Sequence, residues 1–369
     1  MLRWSINRNH GAPGIVVLPA AGFRRAKAEI TAWADYSPTP LALLPGLAAA
    51  AAVAFVAVKD ESGRFGLGSF KALGGAYAVG EVVKTELARR GIAASASTAD
   101  LVAGRYPTAG LTVTCASEGN HGLSVAWGAR RVRAGCRIFV REGLDAGRVA
   151  AIEALGATVQ RQGATYDDSV RAATAAAARE GWLVVSDTSW PGYTEVPRLV
   201  MQGYRLMVDE ALDQWSGPPP THVLIQAGVG GVATAVSVQM RARLGAGPRL
   251  VVVEPDAAAC LLASAERGAS TPVSGPMATN MTCLACGEPS LLAWQELERA
   301  AFVFVAIGDA VAADAVRLLA AEGVASAPSG AAGAAGLVAM ASDPAGRAAL
   351  GLTADSRVLL FNTEGPVGA

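Results

Sequence analysis

A lysine that follows an aromatic residue in a glycine-rich run is the first group in this sequence suited to covalent chemistry. Lys71 closes Gly66-Leu67-Gly68-Ser69-Phe70-Lys71, and Ala72-Leu73-Gly74-Gly75 reads as the helix start behind it. Most lysines are solvated surface groups, but a locally apolar setting lowers the ammonium pKa toward a nucleophilic amine. A second polar cluster, Ser117-Glu118-Gly119-Asn120-His121-Gly122, combines helix-capping side chains with a carboxylate near the positive end of the helix dipole. A third, Asp187-Thr188-Ser189-Trp190, puts a carboxylate directly after an apolar run. The fourth, Gly228-Val229-Gly230-Gly231, has three glycines in four positions, so its backbone can approach an anion closely and wrap a phosphate. The same glycines would equally serve a tight turn. The loop lacks the Lys-Ser/Thr of nucleotide-hydrolase phosphate loops and the third glycine spacing of the dinucleotide fingerprint.

These clusters gain weight from where the surrounding elements put them. Strand-like and helix-like segments alternate at βαβ spacing from about residue 111. Strands are predicted over 111–115, 136–140, 158–159 and 182–186, with helices over 120–134, 146–155 and 166–179 between them. A second series follows Pro218-Pro219-Pro220: strands at 223–226, 250–253, 302–306 and 358–361, with helices at 232–244 and 309–322. Short apolar strands separated by helices predict an α/β fold of two doubly wound, mainly parallel sheets with a cleft between them. The Ser117, Asp187 and Gly228 clusters all follow predicted strands, at turns that in such folds face the ligand crevice, and the Lys71 segment leads into a helix start.

Composition limits the alternatives. The chain has 369 residues, 52% hydrophobic and 17% charged, with 31 basic residues against 31 acidic ones. That size suits about two domains, and the balanced charge gives no electrostatic case for nucleic acid or an acidic membrane. Leu41–Val58 approaches the length of a membrane span, but Pro45-Gly46 interrupts it and a charged segment follows, so it reads as a short helix running into a buried strand. The N-terminal stretch shows no secretory pattern, which predicts a soluble cytoplasmic protein. Five cysteines are too scattered for a disulfide framework; Cys283-Leu-Ala-Cys286 has redox or half-zinc spacing but no second pair, so no metal site is expected and these read as small buried hydrophobes.

Ser69-Phe70-Lys71, the Ser117–His121 turn and the Gly228–Gly231 loop together resemble the pyridoxal-phosphate enzymes of the tryptophan-synthase β-subunit fold (fold type II). Within that group the sequence is similar to the diaminopropionate ammonia-lyase family. Ser37-Pro38-Thr39-Pro40-Leu41, Asp187–Tyr193, Val253-Glu254-Pro255-Asp256, Leu284–Pro289 and Asn362-Thr363-Glu364-Gly365 carry the likeness.

The resemblance implies pyridoxal 5'-phosphate bound through a Lys71 Schiff base. It assigns the phosphate to Gly228, Val229, Gly230 and Gly231, the ring 3-oxygen to Asn120 and the pyridine nitrogen to Thr363, with Ser117, Gly119 and His121 on the substrate. A hydroxyl rather than a carboxylate at the ring nitrogen makes a weaker electron sink, which suits β-elimination. The implied reaction converts 2,3-diaminopropionate to pyruvate and ammonia, with Asp187 and Glu118 as two acidic residues serving the two enantiomers. Glu118 stands where the family usually has Asp. Its extra methylene moves the carboxylate by about 1 Å, a displacement that can cost about 100-fold in rate, so D-enantiomer activity is expected to suffer. The resemblance further implies a large domain of residues 1–109 and 201–369, a small one of 110–200 inserted between them, a homodimer, and a Cys260–Cys286 disulfide. Serine/threonine dehydration or β-replacement on the same scaffold is the nearest alternative activity, and a non-catalytic nucleotide-binding protein the alternative of a different class.

Overall fold

The computed structural model describes residues 2–366. Among the described residues eleven strands form two sheets: β1 (Arg3–Ile6), β2 (Leu41–Leu43), β3 (Phe55–Asp60), β4 (Thr112–Ala116), β5 (Gly135–Val140), β6 (Thr158–Arg161), β7 (Leu183–Val184), β8 (His222–Gln226), β9 (Arg249–Pro255), β10 (Val303–Ile307) and β11 (Arg357–Asn362). Their orders are β1-β10-β9-β8-β11-β3-β2 and β6-β5-β4-β7. The five central strands of the larger sheet and all four of the smaller one are parallel, while β1 and β2 are antiparallel edges. Buried parallel strands must be apolar on both faces, and β8 (HVLIQ), β10 (VFVAI) and the middle of β9 are buried throughout.

Each sheet reverses direction at one place, and that places the crevice. From β8 the chain winds outward to β9 and β10, while β11 inserts on the other side of β8. From β4 it winds to β5 and β6, while β7 lies on the other side of β4. Ligand crevices open at the carboxyl ends of strands at such reversals. Here those ends deliver the Gly228–Gly231 loop and Thr363 from the large sheet, and the Ser117–His121 turn and Asp187 from the small one.

The helix Ala72–Arg89 packs against both the helix Asn120–Arg131 and the long helix Glu195–Gln214. Contact is close: a Cβ at Gly203 would lie 1.9 Å from Leu73 O. One continuous core joins the two sheets, with Val113, Ile138 and Val140 from the small sheet and Val223, Ile225 and Leu359 from the large one. A second core covers the other face of the large sheet.

The segment Leu41–Val58 holds the expected helix, Pro45–Ala50, and strand, β3; its first three residues instead form the edge strand β2, whose Leu43 is exposed. The expected strand over 182–186 shortens to Leu183–Val184. Pro218-Pro219-Pro220 lies in the connection between the Glu195–Gln214 helix and β8. No helix among the described residues is long and apolar enough to cross a membrane.

Candidate active site

The path to Lys71 begins where β3 leaves the sheet after Asp60 and ends at the start of the Ala72–Arg89 helix. Arg64, buried in that connection, donates to Glu61 and to Glu210 at 2.7 Å each, and Lys59 lies 2.8 Å from Glu210. Four buried charges thus neutralise one another, and removing one would strand its partner at a cost of about 3–5 kcal/mol. The chain then runs back along the end of β11. Phe70 N donates to Thr363 O at 3.2 Å, Ser69 pairs with Glu364 in a single antiparallel bridge, and Gly365 N donates to Gly68 O at 2.9 Å. Lys71 is therefore anchored on both sides when its side chain enters the cavity.

Every predicted catalytic, cofactor and substrate residue except Gly119 lines one cavity: Lys71, Ser117, Glu118, Asn120, His121, Asp187, Gly228, Val229, Gly230, Gly231 and Thr363. Gly119 lies in an adjoining outer groove, shared with Asn120 and Glu364. The cavity also takes in residues to which the sequence gives no place in the site, including Tyr166, Tyr204, Gln226, Cys283 and Glu364. Cys283 and Glu364 sit inside noted motifs, and Gln226 ends the strand before the glycine loop. Tyr166 and Tyr204 carry no local signal, because helix packing alone turns them inward.

Lys71 Nζ lies 2.5 Å from Asp187 Oδ2, and Tyr166 donates its hydroxyl to Asp187 Oδ1 at 3.0 Å. Lys71 is not the low-pKa lysine that its sequence surroundings predict. Burial does push the ammonium down, but the adjacent Asp187 carboxylate, reinforced by Tyr204, outweighs it and holds Lys71 above its ordinary value. Burial likewise pushes Asp187 up, while the Lys71 ammonium and the hydrogen bonds from Lys71 and Tyr166 hold it well below the usual carboxylate range. His121 Nε2 lies 2.7 Å from Val185 O. A carbonyl only accepts, so Nε2 carries the proton and Nδ1 presents its lone pair. Burial lowers His121, consistent with a neutral ring.

In the turn after β4, Ser117 Oγ accepts from Gly119 N at 2.8 Å and from Gly122 N at 2.7 Å, so this hydroxyl builds the turn that presents its neighbours. Glu118 Oε2 accepts from Arg141 Nε at 2.7 Å; burial raises its pKa despite that guanidinium. Asn120 Nδ2 contacts Glu364 Oε2 and lies 3.4 Å from Cys283 Sγ. Burial, with Glu364 beside it, pushes the Cys283 thiol up to about 12. Thr363 Oγ1 accepts from Gln226 Nε2 at 2.6 Å.

Two observations bear on what the cavity can hold. At the start of the Gly231–Leu244 helix no side chain caps the terminus, and Gly230 adopts φ +97°, where a Cβ would also lie 2.8 Å from Ala293 Cβ. The bare backbone donors make an anion cradle. In addition, Glu118 Oε1, His121 Nδ1, Gln226 Oε1 and Glu364 Oε1 are buried without a hydrogen-bond partner, although buried polar atoms normally have one. All four residues line this cavity. The bare backbone donors suit a phosphate and Lys71 suits a reactive carbonyl, while the four unpartnered atoms are all acceptors and suit a bound group that brings its own N–H donors.

All five cysteines are free thiols. Cys260 and Cys286, the pair for which the resemblance implies a disulfide, flank Gly228: Cys260 Sγ lies 3.8 Å from Gly228 O, and a Cβ on Gly228 would lie 3.1 Å from Cys286 Sγ. Cys283, expected as a packing residue, instead faces the cavity. Among the described residues no cluster of His, Cys, Asp or Glu could hold a metal ion.

The family model for pyridoxal-phosphate dependent enzymes matches residues 33–364. The diaminopropionate ammonia-lyase of Escherichia coli K12 is 39% identical over 347 residues, spanning 90% of this chain and 85% of that protein. The crystal structure of the E. coli lyase in complex with D-serine superposes with a TM-score of 0.91 at 34% identity, covering 100% of this chain and 95% of that one. Its complex with an aminoacrylate-PLP azomethine reaction intermediate gives 0.89 at 34% identity, over 100% and 94%.

Proposed function

The chain belongs to the pyridoxal-phosphate dependent enzymes, and from that premise we infer that it is an ammonia-lyase that eliminates ammonia from 2,3-diaminopropionate and yields pyruvate and ammonia. The observation that carries this reading is the extent of the likeness to diaminopropionate ammonia-lyase, which spans nearly the whole chain. The cavity supports it: a lysine, a glycine-lined anion cradle and two carboxylates from different turns meet in one place. Pyridoxal phosphate, when bound, supplies an electron sink for charge developing at the α-carbon of an amino acid.

Lys71 would hold the cofactor's aldehyde, Gly228–Gly231 its phosphate, Asn120 its ring 3-oxygen and Thr363 its ring nitrogen. Thr363 suits a neutral nitrogen, since its hydroxyl already accepts from Gln226 and keeps its own proton to donate. Ser117 shapes the turn that would receive the substrate, with His121 beside it and Gly119 at its outer edge. Asp187 Oδ2 takes the α-proton in this reading. It is a weak base while the Lys71 ammonium stands against it; neutralising Lys71 removes a main lowering influence, and burial then raises its basicity. Glu118, raised by burial, is the second proton carrier and serves the other enantiomer. The substrate's β-nitrogen leaves with the carbon–nitrogen electron pair as neutral ammonia.

We place the enzyme in the cytoplasm as a homodimer, with residues 110–200 as a small domain between the two halves of a larger one; family likeness supports the assembly, and the two sheets support the division. A Cys260–Cys286 disulfide would require the two thiols beside Gly228 to be oxidised. Purified protein should release pyruvate from diaminopropionate much faster than from serine or threonine, with or without added thiol. Release from serine or threonine alone would identify a dehydratase, and a thiol-dependent product other than pyruvate would identify a β-replacement enzyme.

A further inference from the structure

Glu364 is a buried carboxylate, 3% exposed, to which neither the sequence reading nor the roles above give a task. Its backbone is fixed by the bridge to Ser69 and by Ala327 N, which donates to Glu364 O at 3.2 Å. It lines both the cavity holding Lys71 and the outer groove, so it stands on the wall between them.

The three cavity carboxylates differ in how they are compensated. Asp187 has Lys71 at 2.5 Å and the Tyr166 hydroxyl. Glu118 has one oxygen on the Arg141 guanidinium at 2.7 Å. Glu364 has only neutral partners, the Asn120 amide on Oε2 and the Cys283 thiol beside it, while Oε1 has no hydrogen-bond partner. The cation nearest to it, Arg148, holds Nη2 3.9 Å from that same Oε1, too far for a hydrogen bond, and spends Nη1 on Cys283 Sγ at 3.1 Å and Glu118 O at 3.3 Å. Burying a carboxylate is costly unless a cation or donors meet it, so an incompletely paired one in a ligand cavity is a site for a cationic group. Diaminopropionate differs from serine and threonine in carrying a second ammonium.

Building on the functional reading above, we propose that Glu364 recognises the β-ammonium of the substrate through Oε1 and is thereby the residue that selects diaminopropionate over hydroxy amino acids. It binds the substrate as the cation, the form in which the departing nitrogen leaves as neutral ammonia. Arg148, held at the rim, limits how strongly the site attracts a cation when empty.

The test is Glu364→Gln in the cofactor-loaded enzyme, assayed with L-2,3-diaminopropionate and with β-chloro-L-alanine, whose leaving group carries no positive charge. Loss of a charge-assisted hydrogen bond should lower kcat/KM for diaminopropionate by roughly 10- to 100-fold, mainly through KM, and change that for β-chloroalanine by less than about 3-fold. Glu364→Asp, which keeps the charge, should recover part of the loss, and it gives the same substrate ratio if the Gln variant does not fold. An equal fall on both substrates in either folded variant overturns the proposal and leaves the lyase reading standing. Wild-type enzyme that processes β-chloroalanine but not diaminopropionate overturns both.

Discussion

Lys71 Nζ and Asp187 Oδ2 are 2.5 Å apart, although 116 residues separate them in the chain. The lysine comes from the turn before a helix of the large-sheet unit and the aspartate from beyond the last strand of the small sheet, so the ion pair ties the two across the cleft. Asp187→Asn should lower turnover of L-diaminopropionate by about 100-fold or more, the usual contribution of a general base, while borohydride reduction followed by mass spectrometry still finds the cofactor on Lys71. Lys71→Ala should abolish both that linkage and the visible absorbance of the bound cofactor. Unchanged turnover in Asp187→Asn would transfer the base role to Lys71 or Glu118.

Glu118 is one methylene longer than the aspartate that the family resemblance implies at its position. Glu118→Asp should raise turnover of D-diaminopropionate by roughly 10- to 100-fold relative to the L-enantiomer, because a 1 Å correction in a proton-transfer geometry is worth about that much. Parallel assays on the separate enantiomers measure the ratio, and a ratio that does not move would exclude Glu118 from enantiomer choice.

Gly230 combines a left-handed backbone with a close neighbour in Ala293. Gly230→Ala should cost about 1–3 kcal/mol in stability and weaken cofactor binding at least 10-fold, read by absorbance titration of the unloaded protein. Wild-type affinity would mean that the phosphate is held elsewhere.

Asp167 is pushed up to about 6 by burial and by nearby Glu288, against which the bond from Gly287 N and the Arg171 charge act only partly. A carboxyl raised in the folded state contributes stability that is fully present below its unfolded pKa, near 3.8, and is lost as pH rises through about 6. The contribution is roughly 2–3 kcal/mol. Asp167→Asn keeps an acceptor for Gly287 N without the charge, so its Tm should exceed that of wild type above pH 6, and the gap should close below pH 4. Parallel melting curves across that range would refute the shift.

Local signals made the parallel core legible. β4, β5, β8 and β9 are short apolar runs bounded by turn residues, and the polar clusters after β4 and β8 stand out because glycine and capping side chains are concentrated there. β1 was not legible, since four half-exposed residues become a strand only by pairing antiparallel with β10. Nor was the helix Ala20–Thr31, which buries only Gly22, Ala26 and Ile30. The charge state of Lys71 is illegible for the same reason: local composition speaks of desolvation, whereas its decisive neighbour, Asp187, arrives from far along the chain. Tyr204 shows the limit most plainly, since nothing near it in sequence indicates that its ring will pack 4.6 Å from Phe70 beside the reactive lysine.

The insertion of β11 between β8 and β3 also governs the order in which the molecule can be made. Asn362 donates to Asp60 Oδ1 across a separation of 302 residues, so during synthesis β3 and β8 wait with open edges until nearly the whole chain has emerged. Closing so large a loop costs entropy before any contact repays it. The lysine and the hydroxyl assigned to opposite parts of the cofactor thus meet only in that last pairing. A ribosome-bound chain lacking the final strand would have no cofactor pocket, and its unpaired edges would be its most aggregation-prone surface.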